Sequence, residues 1–425
     1  MSLAQTFARE EHKPVFVVRE EIGQRSETVR RANLSAIVRE LHLRGPLSRS
    51  DLVAWTGLTR SAIRSLVGDL VAGDFVVEEA AVRLGTPGRP SPQVRLVASN
   101  VVVLALEIAV DSLAVAIVGL GGEVHWKERV DRPRAHSTVE DIVSDLLELA
   151  VRARSRRPPD ETPIGVGVAV AGLVRPTDGV VTVGPNLGWI DVPLGDRLTA
   201  ALDLAAPISV ANEADLGALA ELRRGAARGA DDVLYVHGEV GVGGGIIVGG
   251  RPLSGISGFA GEIGHMPINP DGRPCRCGSI GCWETEIGEG ALLARAGYPL
   301  DGGTMAVAAL IADAAQGRPA AVEALQAVGR WLGIGVAGLI NVLNPRVVVL
   351  GGLFWRIHPF VIDEVRAEIG ARALLASRQL VTVVPASLGV DAPLLGAAEL
   401  AFEPLLVDPV AWIGPRTGLP QLATA

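Results

Sequence analysis

The stretch HMPINPDGRPCRCGSIGCWE, His265 to Glu284, contains every cysteine of a 425-residue chain. Cys275, Cys277 and Cys282 fall within eight positions, after His265 and just before Glu284. An odd, clustered set with no distant partner argues for metal ligation in a reducing compartment over a disulfide framework. Gly278 and Gly281 let the backbone fold tightly between the thiols. An imidazole from His265 then completes a tetrahedral Cys3His set with no open position, the pattern of a structural zinc ion. The alternative is three reduced cysteines packed as small hydrophobes, for which surroundings rich in Gly, Pro and polar residues make a poor core. As a clamp, the metal fixes a loop, and the carboxylates on either side, Glu262 and Glu284, are what it positions.

Upstream of this loop the chain changes texture. Residues 1–29 show no sustained apolar period and are expected to form a mobile arm. From Asn33 a helical pattern places Leu34, Ile37, Val38 and Leu41 on one face, and Gly45-Pro46 ends it. The segment LSRSDLVAWTGLTRSAIRSLVGDLVAGDF, residues 47–75, predicts two short helices around Thr56-Gly57. Ser48 and Asp51 form a capping-box pattern before Leu52-Val53, and Thr59 is the expected N-cap of the second helix. That helix turns Ile63, Leu66, Val67 and Leu70 inward and leaves Ser61, Arg64 and Ser65 outward with Arg60 at the flank. Two alternating strands follow, joined by a loop, Thr86-Pro87-Gly88-Arg89-Pro90, that reads as a wing. This is the layout of a winged helix-turn-helix that enters a major groove. Arg49, Thr59, Arg60, Ser61, Arg64 and Ser65 are its expected DNA contacts, with Arg89 aimed at the minor groove.

The charge distribution agrees. Residues 30–98 carry ten arginines and six acids, a net of +4, while the whole chain is −8. Only the front of the molecule is suited to a polyanion such as double-stranded operator DNA. Beyond residue 98, Val/Ala/Gly-rich strands alternate with helices in two similar halves, which predicts an α/β body of two lobes with a cleft between them. No apolar run long enough to cross a bilayer is evident around VVVLALEIAVDSLAVAIVGLGG, which Glu107 and Asp111 interrupt. The charged first thirty residues are unlike an export signal, so a cytoplasmic, non-membrane protein is expected.

Residues 258–286, GFAGEIGHMPINPDGRPCRCGSIGCWETE, resemble the zinc and sugar signature of the ROK family, and GPNLGW, VANEADLGALAE and GVGGGIIVGG resemble its other blocks. With the winged helix in front, residues 30–400 resemble a ROK transcriptional repressor. The resemblance implies an actin-like (ribonuclease H-like), two-lobed fold behind the helix-turn-helix. It also implies a sugar pocket lined by Asn186, Asn212, Glu213, Glu262, His265 and Glu284. Trp189 is a further candidate, as support for a pyranose face. The expected organisation is an arm (1–29), a DNA-binding domain (30–98), an effector domain (99–402) and a tail (403–425).

The blocks depart from a ROK kinase at three points. The catalytic aspartate position is Glu213, one methylene longer. The first phosphate loop, Asp-x-Gly-Gly-Thr in kinases, is Glu107-Ile108-Ala109-Val110-Asp111. The second, Gly-Thr-Gly, is Glu239-Val240-Gly241. New carboxylates at both loops set like charge against phosphate. The expectation is therefore a sugar-responsive regulator, not an enzyme, acting as a homodimer or tetramer; an active sugar kinase is the alternative.

Overall fold

The computed structural model describes residues 26–79, 92–97, 101–132, 138–156 and 162–412. The expectations for most of the arm, for the wing loop with Arg89 and for the last thirteen residues lie outside the described residues.

Three helices, Ser26–Arg44, Arg49–Thr56 and Arg60–Ala72, open the fold. The first begins before Asn33, and its Leu34, Ile37, Val38 and Leu41 are almost wholly buried. The capping box at Ser48 is formed in both directions, and Gly57 ends the second helix at φ 71°, a left-handed conformation that glycine adopts without strain. Thr59 caps the third helix through Ala62 N–H. Strands Val76–Glu79 and Gln93–Leu96 pair antiparallel as the sides of the wing, and Leu47–Ser48 adds a third, unanticipated strand beside Gln93 and Val94.

The body is built from two five-stranded sheets of identical plan. In the first, Val102–Ile108, Ser112–Gly119 and Val124–Asp131 form an antiparallel meander. Val166–Val170 and then Ile208–Asn212 join parallel on its other side. The second sheet repeats this with Val233–Gly238, Val242–Val248 and Arg251–Pro252, followed by Val347–Gly352 and Thr382–Pro385. Parallel additions need helical crossovers, which cover the sheets. The duplicated halves predicted from strand and helix alternation are thus present, and the fold is two-lobed and actin-like. One crossover helix, Pro319–Leu343, is long and apolar enough to cross a membrane; most of its apolar window is buried in the fold.

Two helices fix everything to everything else. Ala392–Val407 runs five residues past the expected tail boundary at 402, because its Leu405 and Leu406 are buried in the core that also holds Leu34 and Ile37. It lies against the first sheet so closely that a Cβ at Gly167 would sit 1.8 Å from Ala397 O. It packs equally closely on helix Glu213–Arg224, where a Cβ at Gly396 would sit 1.9 Å from Leu216 O.

The first helix of the N-terminal module docks on this pair through polar contacts that sequence reading did not foresee. Ser35 Oγ donates to Leu406 O at 2.6 Å, and Arg39 pairs with Glu403 at 2.7 Å. At the centre is Glu399, 1% exposed. It accepts from Arg223 at 3.0 Å and from Arg224, and faces His42 Nε2 at 3.0 Å. The Gly121 N–H donates to His42 Nδ1 at 2.9 Å, while Nε2 lies between Glu399 and the Arg224 guanidinium, 2.7 Å from Arg224 Nη2.

Burial lowers the His42 pKa from its ordinary 6.5, with Arg224 and Arg223 adding to this and Glu399 opposing. The Glu399 carboxyl lies far below the usual range; burial opposes this, and His42, Arg224 and Arg223 outweigh it. Both folded values lie below the unfolded ones, so the unfolded chain binds more protons. The stability this junction contributes is complete above pH 6.5 and is lost as pH falls, first through His42 and then through Glu399. The difference in melting temperature between wild type and His42→Gln, which isolates this junction, should therefore narrow as pH falls below about 6.5. Glu399→Ala, which leaves two buried guanidinium groups short of a partner, should cost about 3–5 kcal/mol at neutral pH.

Candidate metal and sugar site

The cysteine loop folds back on itself through the bridges between Pro267 and Cys282 and between Pro274 and Ile280. Gly281, at φ 71°, lies where a Cβ would meet Asn269 O at 1.6 Å, so no other residue fits this turn. The turn brings His265, Cys275, Cys277 and Cys282 together, with one ligand atom of each within 4.8 Å of all the others. Cys275 Sγ is 3.7 Å from His265 Nδ1, and Cys277 Sγ is 3.6 Å from Cys282 Sγ. These are the separations expected around a single ion bound at about 2.0–2.3 Å. The four residues could hold a metal ion, and three thiolates with one imidazole suit a closed tetrahedral site. His265 Nε2 faces away from the sulfurs and lies 3.8 Å from Glu262 Oε2.

Beside this cluster lies a cavity of about 440 Å3. Asn186, Asn212, Glu213, Glu262, His265 and Glu284, brought together from widely separated parts of the chain, all line it. Each is held differently. Asn212 Oδ1 caps helix Glu213–Arg224, accepting from Ala214 N–H at 2.8 Å, while its Nδ2 donates to Gly172 O at 2.9 Å. Glu284 accepts from Val242 N–H at 3.0 Å, and Asn186 Oδ1 accepts from Arg276 at 3.0 Å. Burial raises the Glu262 carboxyl, opposed by His265 and reinforced by Glu284. Arg276 also lines the cavity, a residue that sequence reading passed over because it stands between two cysteines. Trp189 does not line it: the indole is 4% exposed and packs in the core of the first lobe with Val181 and Leu198.

The acids of the two segments that sequence reading compares with kinase phosphate loops, Glu107 and Glu239, lie toward one end of the cavity. Glu107 is buried and held by Arg129 through two hydrogen bonds, of 2.8 and 3.1 Å. Burial, and next the Glu239 carboxylate, push Glu213 up to about 8. Burial pulls the His237 imidazole down, but Glu239, Glu213 and Glu107 outweigh it and leave it at about 9. The neighbouring glycines are spacers between elements. A Cβ at Gly245 would lie 2.4 Å from Ala214 O, and one at Gly244 would lie 2.5 Å from Ile263 Cδ1.

On the N-terminal module, Arg60, Ser61, Arg64 and Ser65 form one exposed face of their helix. Neither Arg60 nor Arg64 has a side-chain hydrogen bond or ion pair among the described residues. Two expected contacts are already engaged within the fold. Arg49 makes a bidentate pair with Glu78 on the wing at 2.7 and 2.9 Å, and the Thr59 hydroxyl serves the helix cap. Both are positioning the helix and wing whatever else they touch.

A duplicated actin-like body with a winged helix-turn-helix clamped to its last helix defines the class of protein. The family model described as ROK family matches residues 103–403, and the chain belongs to that family. Over 381 residues it is 29% identical to the xylose repressor of Bacillus subtilis (strain 168), which spans 89% of this chain and 97% of that protein. A solved ROK family transcriptional regulator, a homologue of the Escherichia coli MLC protein, superposes with a TM-score of 0.73 at 26% identity and covers 90% of this chain and 97% of its own. A ROK family glucokinase from Streptomyces griseus, solved with glucose and AMPPNP, gives a TM-score of 0.62 at 29% identity and covers 71% of this chain and 99% of its own.

The cysteine cluster makes a direct prediction. Elemental analysis of purified protein should find about one thiolate-bound metal per chain, and Cys282→Ser should lose it. The same substitution should lower the melting temperature, since Cys282 is fully buried and the loop it closes carries Glu284. In cobalt-substituted protein, thiolate-to-cobalt charge-transfer absorption retained at full strength in Cys282→Ser would place the ion elsewhere.

Proposed function

We propose that this protein is a sugar-responsive transcriptional repressor. The module of residues 30–98 holds operator DNA, and the body of residues 99–402 binds a sugar between its lobes beside a structural zinc ion. The observation that carries the reading is one helix. Glu213–Arg224 begins in the sugar cavity and ends, about 18 Å away at 1.5 Å per residue, with Arg223 and Arg224 gripping the Glu399 and His42 junction of the DNA-binding module.

The cavity chemistry suits a neutral sugar. Amide and carboxylate groups offer paired donors and acceptors to vicinal hydroxyls, while the carboxylates of Glu239 and Glu284 on the same space repel a phosphate. The relatives are consistent with this. The repressor and the regulator match about nine-tenths of this chain, the glucokinase 71%. Acids at both former phosphate loops argue against phosphoryl transfer, so the protein is not a kinase in this reading. A coupled ADP-release assay over common pentoses and hexoses should show no turnover.

Zinc holds the loop that presents Glu262, His265 and Glu284. Sugar contacts to both lobes shift the pitch of helix Glu213–Arg224 relative to the module. A homodimer presents two recognition helices to half-sites spaced by whole turns of DNA, and sugar lowers operator affinity by binding the DNA-free arrangement more tightly. Operator affinity measured against a panel of unphosphorylated sugars should fall with at least one of them, and the corresponding sugar phosphates should have no effect. Arg60→Ala and Arg64→Ala should each weaken operator binding by about 1–3 kcal/mol if they read base edges. Unchanged affinity in both would place the DNA on another face.

A further inference from the structure

Seven buried side-chain nitrogen or oxygen atoms lack a hydrogen-bond partner among the described residues, and three of them gather at one point: Glu213 Oε2, His237 Nε2 and Glu239 Oε2. A buried polar atom left without a partner is costly, and a group of three facing one another is costlier. They come from both lobes. Glu213 opens the helix that follows the last strand of the first sheet, and His237 lies near the end of the central strand of the second. Glu239 stands just beyond that strand. His237 is 3% exposed, and its Nε2 points at the acids, 3.8 Å from Glu239 Oε1.

We propose that Glu213, His237 and Glu239 form a second metal site, separate from the cysteine cluster, that takes a divalent first-row cation between the lobes. One ligand atom from each residue already lies within 4.8 Å of the other two. Ligands at about 2.0–2.2 Å from an ion stand at most about 4.4 Å apart, so a change of roughly half an ångström in the two flexible glutamates closes the set. One imidazole with two carboxylates suits manganese, iron, cobalt or zinc better than magnesium. The ring is also set up as a ligand. His237 Nδ1 lies 3.3 Å from Tyr235 Oη, and a proton donated there leaves the Nε2 lone pair for the ion.

Tyr235 is itself immobile, since a Cβ at Gly217 or Gly351 would meet its ring or hydroxyl within 2.5 Å. Glu107 takes no part, because Arg129 occupies both its oxygens. A cation here ties the first residue of helix Glu213–Arg224 to the opposite sheet. The site rests on these three residues alone and is independent of whether a sugar binds.

The test is a manganese titration of protein whose cysteine site is already filled with zinc, with free Mn2+ followed by electron paramagnetic resonance. Manganese is the probe because it competes poorly with zinc for thiolates. Wild type should bind one Mn2+ per chain. His237→Ala and Glu239→Gln should each weaken that binding at least about tenfold, with zinc content unchanged in both. Glu239→Gln is isosteric, so it carries the test should His237→Ala fail to fold. Absence of saturable Mn2+ binding in zinc-loaded wild type up to about 1 mM, the weakest affinity worth calling a site, would overturn the proposal. So would wild-type affinity in either folded variant.

Discussion

A single buried carboxylate, Glu399, organises this molecule. It sits at 1% exposure on a helix that touches the first sheet, helix Glu213–Arg224 and the N-terminal module, and it is tolerated there only because two arginines supply its counter-charges and His42 packs against it. Such a cluster adds little stability over an apolar replacement. What it supplies is register: a guanidinium fork and an imidazole fix angles as well as distance. The winged helix is therefore not a bead on a linker but a part seated at a defined angle on the body.

The second fixed point is the cysteine loop. A loop of glycines, prolines and polar residues has no core with which to hold Glu262, His265 and Glu284 in place; in the proposed function a closed metal site supplies that rigidity instead. The cavity between the loop and the opposite lobe is lined by groups that the fold holds in place. Helix Glu213–Arg224 touches both fixed points. Its first residue lies among the cavity acids, and its last two arginines lie at Glu399. Backbone-to-backbone packing at Gly396 leaves little slack for motion at one end to be absorbed before it reaches the other.

Much of this was legible in the sequence, for local reasons. The caps at Ser48 and Thr59 announce their helices through hydrogen bonds spanning three residues, and the apolar stripes at Leu34 to Leu41 and Ile63 to Leu70 announce the faces they bury. The cysteine spacing likewise encodes its own geometry. What stayed hidden depends on partners remote along the chain. His42 and Glu399 are 357 residues apart and make one contact. Arg49 reads as a free cation until the wing strand brings Glu78 to it. Trp189 reads as a ring for stacking on a sugar, and no local pattern distinguishes that from the core position it occupies. His237 reads as one more residue of a buried strand, and only the folded chain sets its Nε2 against two acids.

In the proposed function, coupling between the cavity and the N-terminal module runs through Arg224. The most direct measurement is operator affinity with and without saturating sugar, in wild type and in Arg224→Met, where Arg223 and His42 still balance Glu399 and keep the module docked. The sugar effect should be on the order of 5–150-fold in wild type and shrink to about onefold in Arg224→Met, with sugar binding itself retained. An undiminished sugar effect in that variant would contradict it.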